Sequence, residues 1–285
     1  MAFIELQGIS KTFHPPSGPL RHVLEHITLS VDAGEFVSIV GFTGSGKSTL
    51  LKIAAGLLAP DLGEVRVAGE LSQGVRPEAA IIFQNYSLLP WFSALENVRL
   101  AVAAAFASWP RDRQLAQAQR YLELVGLGNA LGRRPSQLSG GMRQRVAIAR
   151  AFAAEPAVLF MDEPFGALDA LTRASLQQEL AQLCSVLERP VTAIMITNNV
   201  DEALLLSDRI IPMTRGPRAT LGPSIDITLP RPRDAAHILH DDGAMHLRAS
   251  VIACLTGGIG PASRASSAPS DVPVWIPGVE VGNES

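Results

Sequence analysis

The chain has 285 residues, of which 47% are hydrophobic and 18% charged, and a formal net charge of −3. That length buries a core without staples, and the mildly acidic balance excludes sequence-independent nucleic-acid binding, which needs a basic surface. Two cysteines, Cys184 and Cys254, exclude a disulfide framework or a cysteine-rich zinc site and suit a reducing compartment. The start, Met1-Ala2-Phe3-Ile4-Glu5, lacks the basic and apolar regions of a secretory signal, and the apolar stretch 100–107 falls well short of the roughly 20 residues of a membrane-crossing helix.

In chain order, residues 3–6 and 23–31 alternate partially and predict strands, with the loop His14-Pro15-Pro16-Ser17-Gly18-Pro19 between them. Residues 35–40 form a short apolar run ending at Gly41, as in a buried strand feeding a turn. Residues 47–55 have helical composition and stop at Gly56, and residues 79–83 predict another strand. From Ser93 to Ala154 the chain is rich in Ala, Leu, Gln and Arg with helical periodicity. A strand at 158–161, a long amphipathic helix at 170–187, a strand at 191–197, a short helix at 201–206 and a strand at 209–213 follow. This order predicts a parallel-sheet α/β core with a helical insertion. From Gly257 the chain is Gly, Ser, Ala and Pro without periodicity, which predicts a tail lacking regular structure, with Trp275 its one candidate docking point.

Gly41-Phe42-Thr43-Gly44-Ser45-Gly46-Lys47-Ser48-Thr49 fits G-x-x-x-x-G-K-[ST] between a predicted strand and a predicted helix. Glycines let successive backbone N–H groups turn inward around a phosphate. Lys47 supplies a point charge to the β- and γ-phosphates, and the helix N-terminus favours the anion. The Ser48 hydroxyl is a candidate Mg²⁺ ligand. Val158-Leu159-Phe160-Met161-Asp162-Glu163 is an apolar strand ending in two acids, which a parallel sheet delivers to its ligand crevice. Asp162 is then the second candidate metal ligand and Glu163 the candidate general base for an attacking water.

Leu138-Ser139-Gly140-Gly141, a polar helix start and then the acid-ended strand complete a pattern that resembles the ATP-binding cassette family over residues 3–230. The resemblance implies an α/β P-loop NTPase core with an N-terminal antiparallel β subdomain and a helical subdomain near residues 88–155, followed by a helical extension at 231–256. It implies ATP and Mg²⁺ as cofactors, and two ATP molecules sandwiched between two such chains. Ser139, Gly140 and Gly141 would then close on the nucleotide of a second ATPase subunit, identical or different. Phe13 sits where an aromatic ring stacks on adenine, Gln84 where a glutamine touches Mg²⁺ or the water, and Asp169 in a segment, Ala167-Leu168-Asp169, that communicates between the two sites.

One position departs from the pattern: Asn198 stands where the family usually has histidine. Asparagine donates a hydrogen bond to a γ-phosphate but carries no proton near neutral pH. Either it substitutes with modest loss, or the chain pairs asymmetrically with another ATPase subunit.

With one cassette and no permease segment, the chain resembles the separate ATPase subunit of a bacterial importer. That implies a transmembrane permease as partner, a periplasmic substrate-binding protein indirectly, no nucleic acid, and a peripheral place on the cytoplasmic face of the inner membrane. Residues 83–91, Phe-Gln-Asn-Tyr-Ser-Leu-Leu-Pro-Trp, resemble nitrate, sulfonate and taurine importers, in which this region receives the permease; Leu88 and Trp91 are its apolar side chains. Residues 209–217 and 229–234 are most similar to the nitrate/nitrite subfamily, related to bicarbonate and cyanate importers, and imply uptake of a small anion, nitrate or nitrite first. Arg231, Arg233 and Asp234 read as a surface charged loop of little energetic consequence, and His237 and His240 as a solvated helix end on one face rather than a metal site.

Overall fold

Two long antiparallel strands open the chain. In a computed structural model describing residues 2–186, 191–238 and 240–257, β1 (Ala2–Phe13) pairs with β2 (Arg21–Asp32). Next, β3 (Phe36–Val40), buried at every position, runs into the phosphate loop and α1 (Lys47–Ala54). The hairpin β4 (Leu62–Val67) and β5 (Glu70–Leu71) then returns to β1, completing a four-stranded antiparallel sheet in the order β2-β1-β4-β5. The sequence reading did not include β4 and β5, although Val65 and Val67 carry the alternation.

After β6 (Ala79–Ile82) comes the helical block: α2 (Ala94–Ala105), α3 (Arg111–Leu124), a 3-10 turn at Pro135–Gln137 and α4 (Gly140–Ala153). Helix α2 starts where it does because Ser93 and Glu96 form a reciprocal capping box. Helix α4 starts at the Ser139 cap, whose Oγ accepts from Met142 N at 3.2 Å. The chain continues through β7 (Val158–Asp162), α5 (Ala170–Val186), β8 (Thr192–Thr197), α6 (Val200–Leu206), β9 (Arg209–Pro212), β10 (Ile225–Asp226), α7 (Ala235–Ile238) and α8 (Asp242–Thr256). The second sheet is ordered β10-β9-β3-β8-β7-β6, parallel except for the edge strand β10.

Strands β3, β7 and β8 are buried at every position and mostly apolar because both faces are covered. One core cluster lies between the two sheets, around Ile4, Val37, Leu50 and Phe160, and another joins the parallel sheet to the helices, around Phe152, Phe165 and Leu204. Phe152, Phe160 and Phe165 are almost wholly buried, each contributing about 1.5–3 kcal/mol from desolvation. Among the described residues no helix is long and apolar enough to cross a membrane.

Two expectations are corrected. Arg233 is not an idle surface charge: its guanidinium donates to the carbonyls of Leu204, Ser207, Ile227 and Leu229. It thereby satisfies the open C-terminal end of α6, where a cation is also favoured by the helix dipole. Arg231 likewise donates to Leu206 O at 2.8 Å. The helix carrying His237 spans Ala235–Ile238 and does not include His240. Leu187, Trp275 and the tail after Gly257 lie outside the described residues.

Candidate functional site

The site is built where three parallel strands end side by side. Val40 is in register with Thr197, and Ile196 with Asp162. Gly41 N donates to Thr197 O at 3.4 Å and Glu163 N to Ile196 O at 3.0 Å. The phosphate loop, Asn198 and Glu163 therefore leave the sheet together, at the carboxyl edge where open α/β sheets bind ligands.

The loop passes directly into α1, whose first N–H groups have no intrahelical partner. Gly46 is required here: it has φ 101°, and a Cβ would lie 2.8 Å from Val23 Cγ1. Lys47, buried, donates from Nζ to Gly41 O at 2.9 Å and Phe42 O at 3.0 Å, and lies 3.6 Å from Glu163 Oε1. Burial pulls its ammonium below the ordinary lysine value, and the carboxylates of Glu163 and Asp162 oppose that shift. Ser48 Oγ donates to Asp162 Oδ1 at 2.9 Å. Gln84 Nε2 stands 3.4 Å from Glu163 Oε2. Glu163 itself has φ 44°, a left-handed conformation that a non-glycine residue keeps only where its surroundings impose it.

Phe13, Thr43, Gly44, Gly46, Lys47, Ser48, Thr49, Gln84 and Glu163 line one cavity of about 420 Å³, joined by Arg21 and Val23. Sequence reasoning missed Arg21, for which no local signal existed. Phe13 is 39% exposed at the mouth of this cavity. Its strand end is fixed by Asp61, which pairs with Lys11 Nζ at 2.7 Å and accepts from Thr12 N at 2.7 Å. The Lys11 ammonium lies 5.7 Å from the Phe13 ring centroid. The Asp61 carboxyl is held below the usual range, first by the Lys11 hydrogen bond and then by the Thr12 N–H.

Four predicted residues lie elsewhere on the single chain. Ser139, Gly140 and Gly141 form the exposed start of α4, and Asp169 caps α5, accepting from Thr172 N at 3.0 Å. Ser45 does not line that cavity; it is buried, and its hydroxyl turns to the Met213 sulfur at 3.8 Å. Asn198 is exposed at the end of β8. Beneath it, Thr197 Oγ1 donates to the buried Glu202 Oε2 at 2.6 Å and accepts from Asn199 N at 3.1 Å. Burial raises the Glu202 carboxyl above its ordinary value, against the hydrogen bond from Thr197.

The ABC transporter family matches residues 24–166, spanning the phosphate loop, the Ser139 helix start and the acid-ended strand. The chain belongs to the ABC transporter family. The cassette is 45% identical over 250 residues to the nitrate import ATP-binding protein NrtD of Synechococcus elongatus, covering 88% of this chain and 90% of that one. It is 44% identical over 250 residues to the bicarbonate transport ATP-binding protein CmpC of the same organism, covering 88% of this chain but only 37% of CmpC. A solved dimeric cassette, MJ0796 in a post-hydrolysis state bound to ADP and Pi, superposes with TM-score 0.68 at 29% identity, covering 79% of this chain and 99% of that one. The cassette thus has the fold of a nucleotide-binding ABC ATPase.

Proposed function

We propose that this cassette is the ATP-hydrolysing subunit of an importer for a small oxyanion, nitrate or nitrite first and bicarbonate within the same chemical class. The observation that carries the hydrolytic part is Glu163, set at the strand end between Lys47 and Gln84 and facing the phosphate-loop cavity. The names of NrtD and CmpC support the substrate class.

The first-turn N–H groups of α1 and the Lys47 ammonium hold the β- and γ-phosphates. Phe13 offers its ring to adenine. The Glu163 carboxylate accepts a proton from the attacking water as a bond forms from its oxygen to the γ-phosphorus. The bond to the β–γ bridging oxygen breaks, leaving ADP and phosphate. Ser48, Asp162 and the Gln84 amide oxygen offer hard oxygen donors that fit Mg²⁺, with Ser48 and Asp162 already in contact. When bound, the ion neutralises charge on the phosphates. Asn198 supplies a neutral hydrogen bond in place of an ionisable one. Its loss of a proton-carrying group favours one second reading, a hydrolysis-impaired member of a heterodimeric pair.

Two cassettes closing around two ATP molecules bring the Ser139-Gly140-Gly141 helix start of each onto the nucleotide of the other. Closure works on a membrane permease through residues 84–91. There Leu88 packs inward and Trp91 remains 63% exposed, available to a partner. ATP drives the change by binding the closed state more tightly than ADP does. The test is reconstitution of the cassette with its co-purifying membrane subunits in vesicles. ATP-dependent accumulation of nitrate or nitrite, but not taurine, is expected. Accumulation of taurine or another sulfonate alone would contradict the substrate assignment.

A further inference from the structure

Tyr86 and Ser87 are consecutive non-glycine residues in the left-handed region, with φ 64° and φ 46°. Such residues persist only where the surroundings over-determine them. The turn has its own short bonds, Tyr86 N to Phe83 O at 3.0 Å and Ser87 N to Asn85 O at 2.7 Å. Across the chain, Arg150 on α4 donates from Nη2 to Tyr86 O at 2.9 Å and from Nη1 to Ser87 O at 2.6 Å. Burial pulls this guanidinium below its ordinary value, and no carboxylate pairs with it among the described residues. Its fork is directed at the two strained carbonyls.

The turn lies between the Gln84 contact with Glu163 and the start of α4. It follows Gln84, which reaches Glu163. The Tyr86 hydroxyl lies 3.5 Å from where a Cβ on Gly140 would stand, and the Arg143 guanidinium is 5.7 Å from the Tyr86 ring centroid. Downstream, Asn97 bonds both Leu89 N and Leu89 O, close to the exposed Trp91.

We propose that Arg150 is a positioning residue that latches the Tyr86–Ser87 turn, so that Gln84 at Glu163 and Tyr86 at the Gly140 helix start move as one unit. This rests on the hydrolytic reading above only for the roles of Gln84 and Glu163.

The experiment compares wild type, Arg150→Met, Arg150→Lys and the double variant Arg150→Met/Ser87→Gly, all in the full chain. It reads amide hydrogen exchange over residues 85–89 together with kcat and KM for ATP. In Arg150→Met, exchange is expected to rise and kcat to fall, each about tenfold, with KM within about twofold. Glycine adopts positive φ without steric cost, so Ser87→Gly in that background recovers about threefold or more of both. Arg150→Lys keeps the charge without the fork and falls between. Unchanged exchange and kcat in Arg150→Met would overturn the proposal. So would losses that Ser87→Gly does not restore, because Arg150 would then merely pack α4. If Arg150→Met does not fold, Arg150→Lys with and without Ser87→Gly makes the same comparison. Absence of turnover in wild type would defeat the hydrolytic reading, while the exchange rates would still decide the latch.

Discussion

Gly141→Ala separates packing from nucleotide contact at the start of α4. A Cβ on Gly141 would lie 2.5 Å from Thr172 Cγ2, while the next nearest atoms, Thr172 Cβ and Oγ1, are at 3.8 and 3.9 Å. The clash is therefore with one methyl group. Asp169 holds Thr172 in place: its carboxylate accepts from the Thr172 N–H at 3.0 Å and is kept below the usual carboxyl range, first by that bond and then by the Thr172 hydroxyl. Overpacking of this kind costs about 1–3 kcal/mol. Alanine's higher helix propensity offsets about 1 kcal/mol of that, leaving a net loss of about 0–2 kcal/mol. Thr172→Ser removes the offending methyl and keeps the hydroxyl. Urea unfolding of the four proteins in the double-mutant cycle should give a favourable coupling of about 1 kcal/mol or more. A double variant no more stable than Gly141→Ala alone would refute the packing argument. If stability is restored but turnover is not, Gly141 is also needed where a partner's nucleotide approaches.

Asp61→Asn removes the anchor of the strand end that carries Phe13; KM for ATP should rise about three- to tenfold with kcat little changed, measured by steady-state turnover. The Asp61 carboxyl has a folded-state pKa below its ordinary 3.8, so its stabilisation is complete above that value and fades as pH falls through the lower one. Because the pair is partly exposed, the Asp61→Asn penalty should be under about 1 kcal/mol at neutral pH and vanish in acid, by urea unfolding across pH. Arg233→Met leaves carbonyls at the end of α6 unsatisfied and should cost about 1–3 kcal/mol, measured the same way. Cys184 is half-buried with its thiol pushed up to about 12 by desolvation. It should resist iodoacetamide at pH 8 in the folded chain and react once unfolded, as mass spectrometry of the labelled peptide would show.

The site was legible where its chemistry lies in consecutive residues. Gly41 to Thr49 carries turn, helix start and reactive group in one run, and Val158 to Glu163 carries strand and reactive groups, so residue type and local period suffice. The strand order could not be read that way, yet it is what sets Gly41, Asn198 and Glu163 side by side. Long-range support was invisible for the same reason. Lys11 and Asp61, Arg150 and Ser87, or Arg233 and Leu204 meet only after folding, and none carries a pattern in its own neighbourhood. Arg233 shows the cost of judging charge by type: in a Pro-Arg-Pro-Arg-Asp segment it reads as solvated, but its fork closes a helix end. The hairpin Leu62–Leu71 was missed because Glu64 and Arg66 on the outer face and the glycines around them mask a two-residue apolar alternation.

The central claim is that this cassette hydrolyses ATP with Glu163 as the base and with Asn198 sufficient in the histidine position. Magnesium-dependent ATP turnover of wild type, Glu163→Gln and Asn198→His, alone and with the co-purifying membrane subunits, tests it most directly. The account predicts measurable turnover in wild type, a fall of about 100-fold or more in Glu163→Gln with ATP binding retained, and a gain of less than about tenfold in Asn198→His. No wild-type turnover under any of these conditions, or turnover that survives Glu163→Gln, would contradict it.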